Sequence, residues 1–210
     1  INTDLLGAAV GGCRHNQRMF WNLPTLLTWA RIVAIPLIVG VFYLPWPANE
    51  LNLLASVLFV VVALTDWADG WLARRLKQTS SFGAFLDPVA DKFLVCASLL
   101  ILLEMGRVSA IVGLIIIGRE IAISALREWM AQIGASRSVA VHMLGKLKTA
   151  AQMSAITLLL YDGPLPLIDH PWAHARFLGT GLIYIACGLT IWSMAYYLKR
   201  SIPDIIAKAR

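Results

Sequence analysis

Four aspartates at helical spacing are the residues of this chain best suited to carry chemistry. Asp66 and Asp69 are three residues apart, Asp87 and Asp91 are four apart, and each pair therefore shares one helix face. All four lie in apolar, membrane-type sequence, where acidic side chains are costly and usually functional. Converging carboxylates repel one another unless cations lie between them. Since hard oxygen ligands favour Mg²⁺, Mn²⁺ or Ca²⁺ over zinc, the pattern predicts a divalent-cation site.

Small residues and an arginine accompany the acids. Gly70, Ala73 and Gly83 leave space beside them for a ligand or a close helix neighbour. Arg74 offers a planar guanidinium suited to phosphate. The structural alternative is that the acids merely form interfacial ion pairs with nearby basic side chains. Four acids with two glycines at these spacings favour cation-assisted phosphate chemistry instead.

The elements that must position these residues are membrane helices. Hydrophobic residues make up 59% of the chain and charged residues 14%, a composition typical of long apolar spans. We expect an all-α integral membrane protein with six transmembrane helices, residues 1–18 as an N-terminal extension and residues 19–210 as one membrane domain. The more polar segment 124–140 is expected to form an amphipathic helix on the membrane surface. The predicted spans are Leu23–Leu44, Leu51–Ala73, Phe82–Leu103, Val108–Ile123, Met143–Tyr161 and Phe177–Tyr197.

The basic residues gather on one predicted side of the membrane. Loops after the first, third and fifth spans hold only Arg107 and Arg176, whereas the other side carries most of the lysines and arginines. By the positive-inside rule, both termini are predicted to be cytoplasmic. This distribution explains the net charge of +6 without nucleic-acid binding.

The acidic stretch resembles the signature of the CDP-alcohol phosphatidyltransferases, D-x2-D-G-x2-A-R-x8-G-x3-D-x3-D. The resemblance implies six membrane helices, usually in a homodimer, CDP-diacylglycerol as the lipid donor, and two Mg²⁺ or Mn²⁺ ions as cofactors. It implies that Asp66, Asp69 and Asp87 hold the metals. Asp91 would close the metal site and act as the general base. The same resemblance assigns donor-lipid binding to Asp66, Asp69, Gly70, Ala73, Arg74 and Gly83, with Arg74 on the phosphates.

Further strings are similar to bacterial family members that use glycerol 3-phosphate as the acceptor. These strings begin at Asn22, Gly118, Leu126 and Gly145. The resemblance implies that Arg119, Lys146 and Lys148 bind the acceptor phosphate, and that the enzyme lies in the bacterial inner membrane with its active site facing the cytoplasm. Thr149 could add a hydroxyl and Arg31 a further cation. From the residues alone, Glu120 could simply pair with Arg119, and Lys146 could be an ordinary loop charge.

Other functions compete with this interpretation. Within the family, the acceptor could be serine, inositol phosphate or phosphatidylglycerol. A cation transporter would place its acids along a path at mid-membrane depth, often in paired repeats, whereas these acids cluster at one predicted level. A prenyltransferase would show denser aspartate runs.

Overall fold

The computed structural model describes six helices in residues 23–76, 81–132, 143–165 and 174–208. The side chains of residues 23–27, 66–76, 81–85, 87, 143, 144, 146, 200, 201 and 203–208 are outside this description, as are residues 1–18. The helices are α1 (Leu23–Val41), α2 (Ala48–Leu76), α3 (Ser81–Glu104), α4 (Ala110–Gln132), α5 (Met143–Tyr161) and α6 (Ala175–Lys208). Their order agrees with the six predicted apolar segments.

Two of the described helices are long and apolar enough to cross a bilayer. The stretches are Ala48–Thr65 in α2 and Ala175–Lys199 in α6, and Thr28–Val41 in α1 is a shorter apolar helix. Many large apolar side chains on these helices are exposed, including Leu53, Val57 and Trp192. Exposed apolar surface of this kind is expected where a helix faces lipid.

The chain divides into two compact units, and the boundary falls within α2 and α3. The first unit comprises residues 1–45 and 57–97, and the second comprises residues 46–56 and 98–210. In the first unit, the buried apolar side chains include Ile35 and Ile38 of α1, Phe59 of α2, and Leu94 of α3. This unit contains the whole acidic motif.

In the second unit, α6 packs against α5 and α4. A glycine permits the close approach of α5 and α6, because a Cβ at Gly179 would lie 2.8 Å from Cγ of Leu159. Small residues commonly allow membrane helices to approach in this way. Leu159 and Ile183 are both almost fully buried in the same unit.

The connection between α3 and α4 is a tight turn built on Gly106. The backbone N–H of Gly106 donates to the carbonyl of Leu103, and that of Arg107 donates to Leu102, at 3.0 and 2.8 Å. Gly106 has a φ of +66°, a conformation that glycine adopts without the Cβ penalty. The side-chain oxygen of Ser109 then accepts from the N–H of Ile111 at the start of α4. This turn places Arg107 directly after the end of α3.

The fourth helix is longer than the predicted span. We expected the span to end at Ile123 and a surface helix to cover residues 124–140, but α4 continues without interruption to Gln132. Residues 133–140 of the expected surface helix lie outside the described part of the chain. The physical reason is a buried cluster in which Ile123 and Met130 pack with Tyr197 of α6. Tertiary packing thus extends a helix whose second half is too polar to predict as part of a span.

Candidate functional site

The acidic motif lies on two successive helices of the first unit. Asp66 and Asp69 are in α2, and Asp87 and Asp91 are in α3, so the helical backbone gives each pair the shared face that its spacing predicts. The side chains of Asp66, Asp69, Gly70, Ala73, Arg74, Gly83 and Asp87 lie outside the described part. Among the side chains that are described, no cluster of three or more metal-binding groups occurs. The metal and nucleotide roles of these residues therefore stay predictions.

The structure describes the side chain of Asp91, which contacts Arg31 of α1. The NH1 group of Arg31 donates to Oδ1 of Asp91 at 2.8 Å. Arg31 is nearly inaccessible, with 1% of its side chain exposed, whereas 52% of the Asp91 side chain is exposed. A buried arginine thus holds one oxygen of an otherwise accessible carboxylate. We predicted Arg31 as an acceptor-phosphate ligand, and the structure gives it a contact with the candidate base.

A cavity in the second unit gathers the predicted acceptor residues. Its volume is about 450 Å³, within the range of small-ligand pockets. Residues from α4, α5 and α6 line it, and we call it the basic cavity. The lining residues are Arg119, Glu120, Arg127, Gly145, Lys148, Thr149, Ala150 and Tyr197.

Three of the predicted acceptor ligands line the basic cavity. Arg119 is buried, Lys148 is 2% exposed, and Thr149 is exposed. The Thr149 hydroxyl donates to the backbone carbonyl of Gly145 at 2.9 Å, so its proton is used within α5. Lys146 lies in α5 too, but its side chain is outside the described part.

Glu120 is the counter-ion of both buried cations. Its Oε1 accepts from NH1 of Arg119 at 3.2 Å and from Nζ of Lys148. NH2 of Arg119 also approaches the Ser193 hydroxyl at 3.4 Å, a long contact. Nε of Arg119 is buried and has no acceptor among the described residues. An arginine with spare donor capacity at the edge of a cavity can bind an anionic ligand.

Two lining residues were not expected from the sequence. The guanidinium of Arg127 lies over the ring of Tyr197, 5.8 Å from its centroid, within the usual limit for a cation–π contact. The sequence predicts that Arg127 lies on a separate surface helix, and it gives Tyr197 only as the end of the sixth predicted span. Because α4 is continuous, Arg127 follows Arg119 by two turns and joins the same cavity. The sequence did hold a signal for this arrangement, because Arg119, Ile123 and Arg127 follow one another at four-residue intervals and so share one face of a continuous helix.

Comparison with known proteins gives concordant results. Residues 21–192 match the model of a family described as CDP-alcohol phosphatidyltransferase. A protein of Pectobacterium atrosepticum is 47% identical to this chain, and proteins of Shigella flexneri and Salmonella typhimurium are 44% and 43% identical. Each of these alignments covers 90% of this chain and 99% of the relative. All three relatives are named CDP-diacylglycerol–glycerol-3-phosphate 3-phosphatidyltransferase.

Proposed function

Because this chain belongs to the CDP-alcohol phosphatidyltransferase family, we propose that it transfers the phosphatidyl group of CDP-diacylglycerol to sn-glycerol 3-phosphate. The products are phosphatidylglycerophosphate and CMP. Three relatives at 43–47% identity carry the name of this reaction. The observation that carries the choice of acceptor is the basic cavity, where Arg119, Arg127 and Lys148 line one space.

The acidic motif is proposed to hold the donor lipid and two divalent ions, Mg²⁺ or Mn²⁺. The residues fit such ions, since α2 and α3 each present two aspartates on one face and the described carboxylate of Asp91 is half exposed. Asp66, Asp69, Asp87 and Asp91 would supply hard oxygen ligands. Bound ions would neutralise the pyrophosphate and stabilise the CMP leaving group. Gly70, Ala73 and Gly83 leave room for the nucleotide, and Arg74 contacts its phosphates.

The proton chemistry is assigned to Asp91. Its carboxylate removes the proton from an acceptor hydroxyl, and the hydroxyl oxygen attacks the phosphorus that bears the diacylglycerol. The bond between that phosphorus and the oxygen of CMP then breaks. Arg31 keeps the carboxylate oriented through the contact at Oδ1. Since positioning and charge neutralisation supply most of the catalysis in phosphoryl transfer, this orientation matters for turnover.

The acceptor phosphate is assigned to the basic cavity. Arg119 and Lys148 are its deepest cations, and Arg127 adds a third from the same helix as Arg119. Charge-assisted hydrogen bonds to phosphate are roughly twice as strong as neutral ones. Lys146 on α5 completes the proposed set of cations, whereas Thr149 lines the basic cavity but donates its hydroxyl proton to Gly145. Arg31 is reassigned in this proposal from the acceptor to Asp91.

The proposed setting is the bacterial inner membrane. Six transmembrane helices, both termini in the cytoplasm and an active site facing the cytoplasm agree with the charge distribution of the sequence. In this setting, the lipid tails of the donor stay in the bilayer while water-soluble glycerol 3-phosphate arrives from the cytoplasm. A homodimer is proposed from the family resemblance alone.

An acceptor screen tests this function. Purified protein in detergent is incubated with CDP-diacylglycerol, Mg²⁺ or Mn²⁺, and radiolabelled glycerol 3-phosphate, serine, inositol phosphate or phosphatidylglycerol, and both CMP and labelled lipid are measured. We expect CMP release and lipid labelling with glycerol 3-phosphate, and loss of both with EDTA. Labelling with serine but not with glycerol 3-phosphate would overturn the acceptor assignment.

A further inference from the structure

Glu120 lies between the two most buried cations of the basic cavity. A single oxygen, Oε1, accepts from NH1 of Arg119 on the same helix and from Nζ of Lys148 on α5. The side chains of Arg119 and Lys148 are 9% and 2% exposed, while that of Glu120 is 21% exposed. One carboxylate thus joins two helices through two cations.

Two buried cations that contact the same carboxylate oxygen need that carboxylate as a counter-ion. Taking charged groups out of water is costly, and like charges in a low-dielectric region repel strongly. Glu120 compensates both cations at once, and it fixes the direction in which each one points. Without it, the two cations would move apart or toward water.

The bridge leaves donors for a ligand. A lysine ammonium has three N–H donors and an arginine guanidinium has five, and Glu120 engages one from each. Nε of Arg119 is buried without an acceptor among the described residues. The cations are therefore held without being saturated, as a site ready for an anion requires.

The charge of the cavity indicates which anion. Its described charged side chains are three cations, Arg119, Arg127 and Lys148, and one carboxylate, Glu120. Without Lys146, whose side chain is outside the described part, these four groups sum to two positive charges. This sum corresponds to a phosphate monoester, which carries about −1.5 to −2 at neutral pH. A phosphodiester or a zwitterion such as serine would leave positive charge uncompensated in the cavity.

We propose that Glu120 is a positioning residue that holds Arg119 and Lys148 ready for the acceptor and adjusts the cavity to a phosphomonoester dianion. This inference rests on the proposed function, since it assumes that the acceptor phosphate binds in the basic cavity. Glu120 itself makes no bond to the acceptor. Its effect on acceptor binding is transmitted through the two cations.

The central test is Glu120→Gln, which keeps size and hydrogen bonding but removes the charge. We expect the KM for glycerol 3-phosphate to rise about tenfold, which corresponds to a loss of about 1.4 kcal/mol in the free energy of acceptor binding. The kcat should stay within about twofold, and the KM for CDP-diacylglycerol should not change, since the acceptor cations alone depend on Glu120. Glu120→Asp keeps the charge and should recover part of the acceptor KM.

Glu128→Gln is the matched control. Glu128 is an exposed residue of the same helix and does not line the basic cavity, so the same loss of charge should leave both KM values unchanged. An equal rise in acceptor KM for the two variants would mean that net charge alone is responsible, and would overturn the proposal. A lower KM for Glu120→Gln would overturn it too, because the carboxylate would then be competing with phosphate.

Three further measurements complete the test. Calorimetric titration of glycerol 3-phosphate should show weaker binding to Glu120→Gln, and thermal unfolding should show a similar melting temperature. If Glu120→Gln lowers the melting temperature and kcat and raises both KM values together, the role of Glu120 is merely structural and the proposal is overturned. The methyl phosphodiester of glycerol 3-phosphate should inhibit the wild-type enzyme at least about tenfold less than inorganic phosphate, and equal inhibition would contradict the charge argument.

The wild-type enzyme separates this proposal from the proposed function. If it releases no CMP with glycerol 3-phosphate, the acceptor assignment fails, and the Glu120 proposal fails with it. If the wild type is active and Glu120→Gln behaves like Glu128→Gln, only the Glu120 proposal fails.

Discussion

Two buried arginines of the second unit, Arg107 and Arg119, have opposite surroundings. Every nitrogen of the Arg107 guanidinium has an acceptor. NH1 donates to the carbonyls of Leu159 and Leu160 at 2.9 and 3.0 Å, NH2 donates to Oδ1 of Asn52 at 2.8 Å, and Nε lies 3.2 Å from Oδ2 of Asp162. Arg107 thus neutralises the last carbonyls of α5 and ties α5 to the start of α2.

Arg119 has fewer acceptors than Arg107. It shares one carboxylate oxygen with Lys148, makes a long contact with Ser193, and keeps a buried Nε without an acceptor among the described residues. It also lines a cavity of about 450 Å³. The comparison shows that burial alone does not identify a binding residue. A buried cation that protein acceptors saturate is structural, whereas one with spare donors beside a cavity is available to a ligand.

The electrostatic setting of Arg107 agrees with a structural role. Burial lowers the pKa of its guanidinium, and the neighbouring Asp162 opposes this by raising it. Because the ordinary pKa of arginine lies far above neutral, Arg107 stays charged at physiological pH. Arg107 therefore supplies a positive charge beside Asp162 throughout this range.

Asp91 and Asp162 allow the same comparison of an available and a structural group for carboxylates. Of the substitutions considered, that of Asp91 should have the largest effect on turnover. The side chain of Asp91 is 52% exposed and that of Asp162 is 15% exposed, although both contact an arginine. We expect Asp91→Asn to lower kcat about 10³-fold, since a general base contributes about 10²–10⁴ to the rate. The KM for CDP-diacylglycerol should change much less. Radiolabelled turnover measures both, and full activity would remove Asp91 as the base.

Removing Arg107 should cost stability and leave binding intact. Arg107→Gln strands a partly buried carboxylate and two helix-end carbonyls, so the free energy of unfolding should fall by about 3 kcal/mol. Unfolding in detergent measures this loss. Arg176→Gln is the control, because Arg176 is half exposed and lies 3.9 Å from the same Asp162. It should cost less than about 1 kcal/mol. A raised acceptor KM in folded Arg107→Gln would break the comparison.

Removing Arg119 should weaken acceptor binding and cost less stability than removing Arg107. Arg119→Gln should raise the KM for glycerol 3-phosphate roughly 10- to 100-fold, the equivalent of about 1.5–3 kcal/mol for a charge-assisted hydrogen bond. The melting temperature should fall less than in Arg107→Gln, because Glu120 keeps Lys148 as its partner. Steady-state kinetics with varied acceptor provides the measurement. An unchanged acceptor KM together with a large loss of stability would place Arg119 with Arg107 as a structural arginine.

The smallest expected effect concerns Arg127, the exposed cation of the cavity. Tyr197→Leu removes the ring under its guanidinium and should raise the acceptor KM about fivefold, as a cation–π contact contributes about 0.5–2 kcal/mol. Tyr197→Phe keeps the ring and should raise the KM less. If both variants raise it equally, the Tyr197 hydroxyl and not the ring is responsible.

Much of the fold could be predicted because it depends on local pattern. Apolar runs place the starts of all six helices, and the ends of α1, α2, α3 and α5, to within a few residues of their observed bounds. The exceptions are the ends of α4, where the polar residues after Ile123 suggested a break, and of α6, which continues past the predicted end at Tyr197 to Lys208. Contacts of Ile123 and Met130 with Tyr197 keep the end of α4 helical, and a contact across 67 residues or more leaves no local signal.

The sequence by itself determined the acidic motif, since three- and four-residue spacings become shared faces as soon as a helix forms. It also indicated Arg119, because charge in an apolar context is conspicuous, while Lys148 was implied by the family resemblance. Only the tertiary structure decided what holds these groups. Three features join residues that are far apart in the sequence: the counter-ion role of Glu120 toward Lys148, the contact of Arg31 with Asp91, and the saturation of Arg107. Their energies depend on distance and burial, and neither quantity is encoded in spacing along the chain.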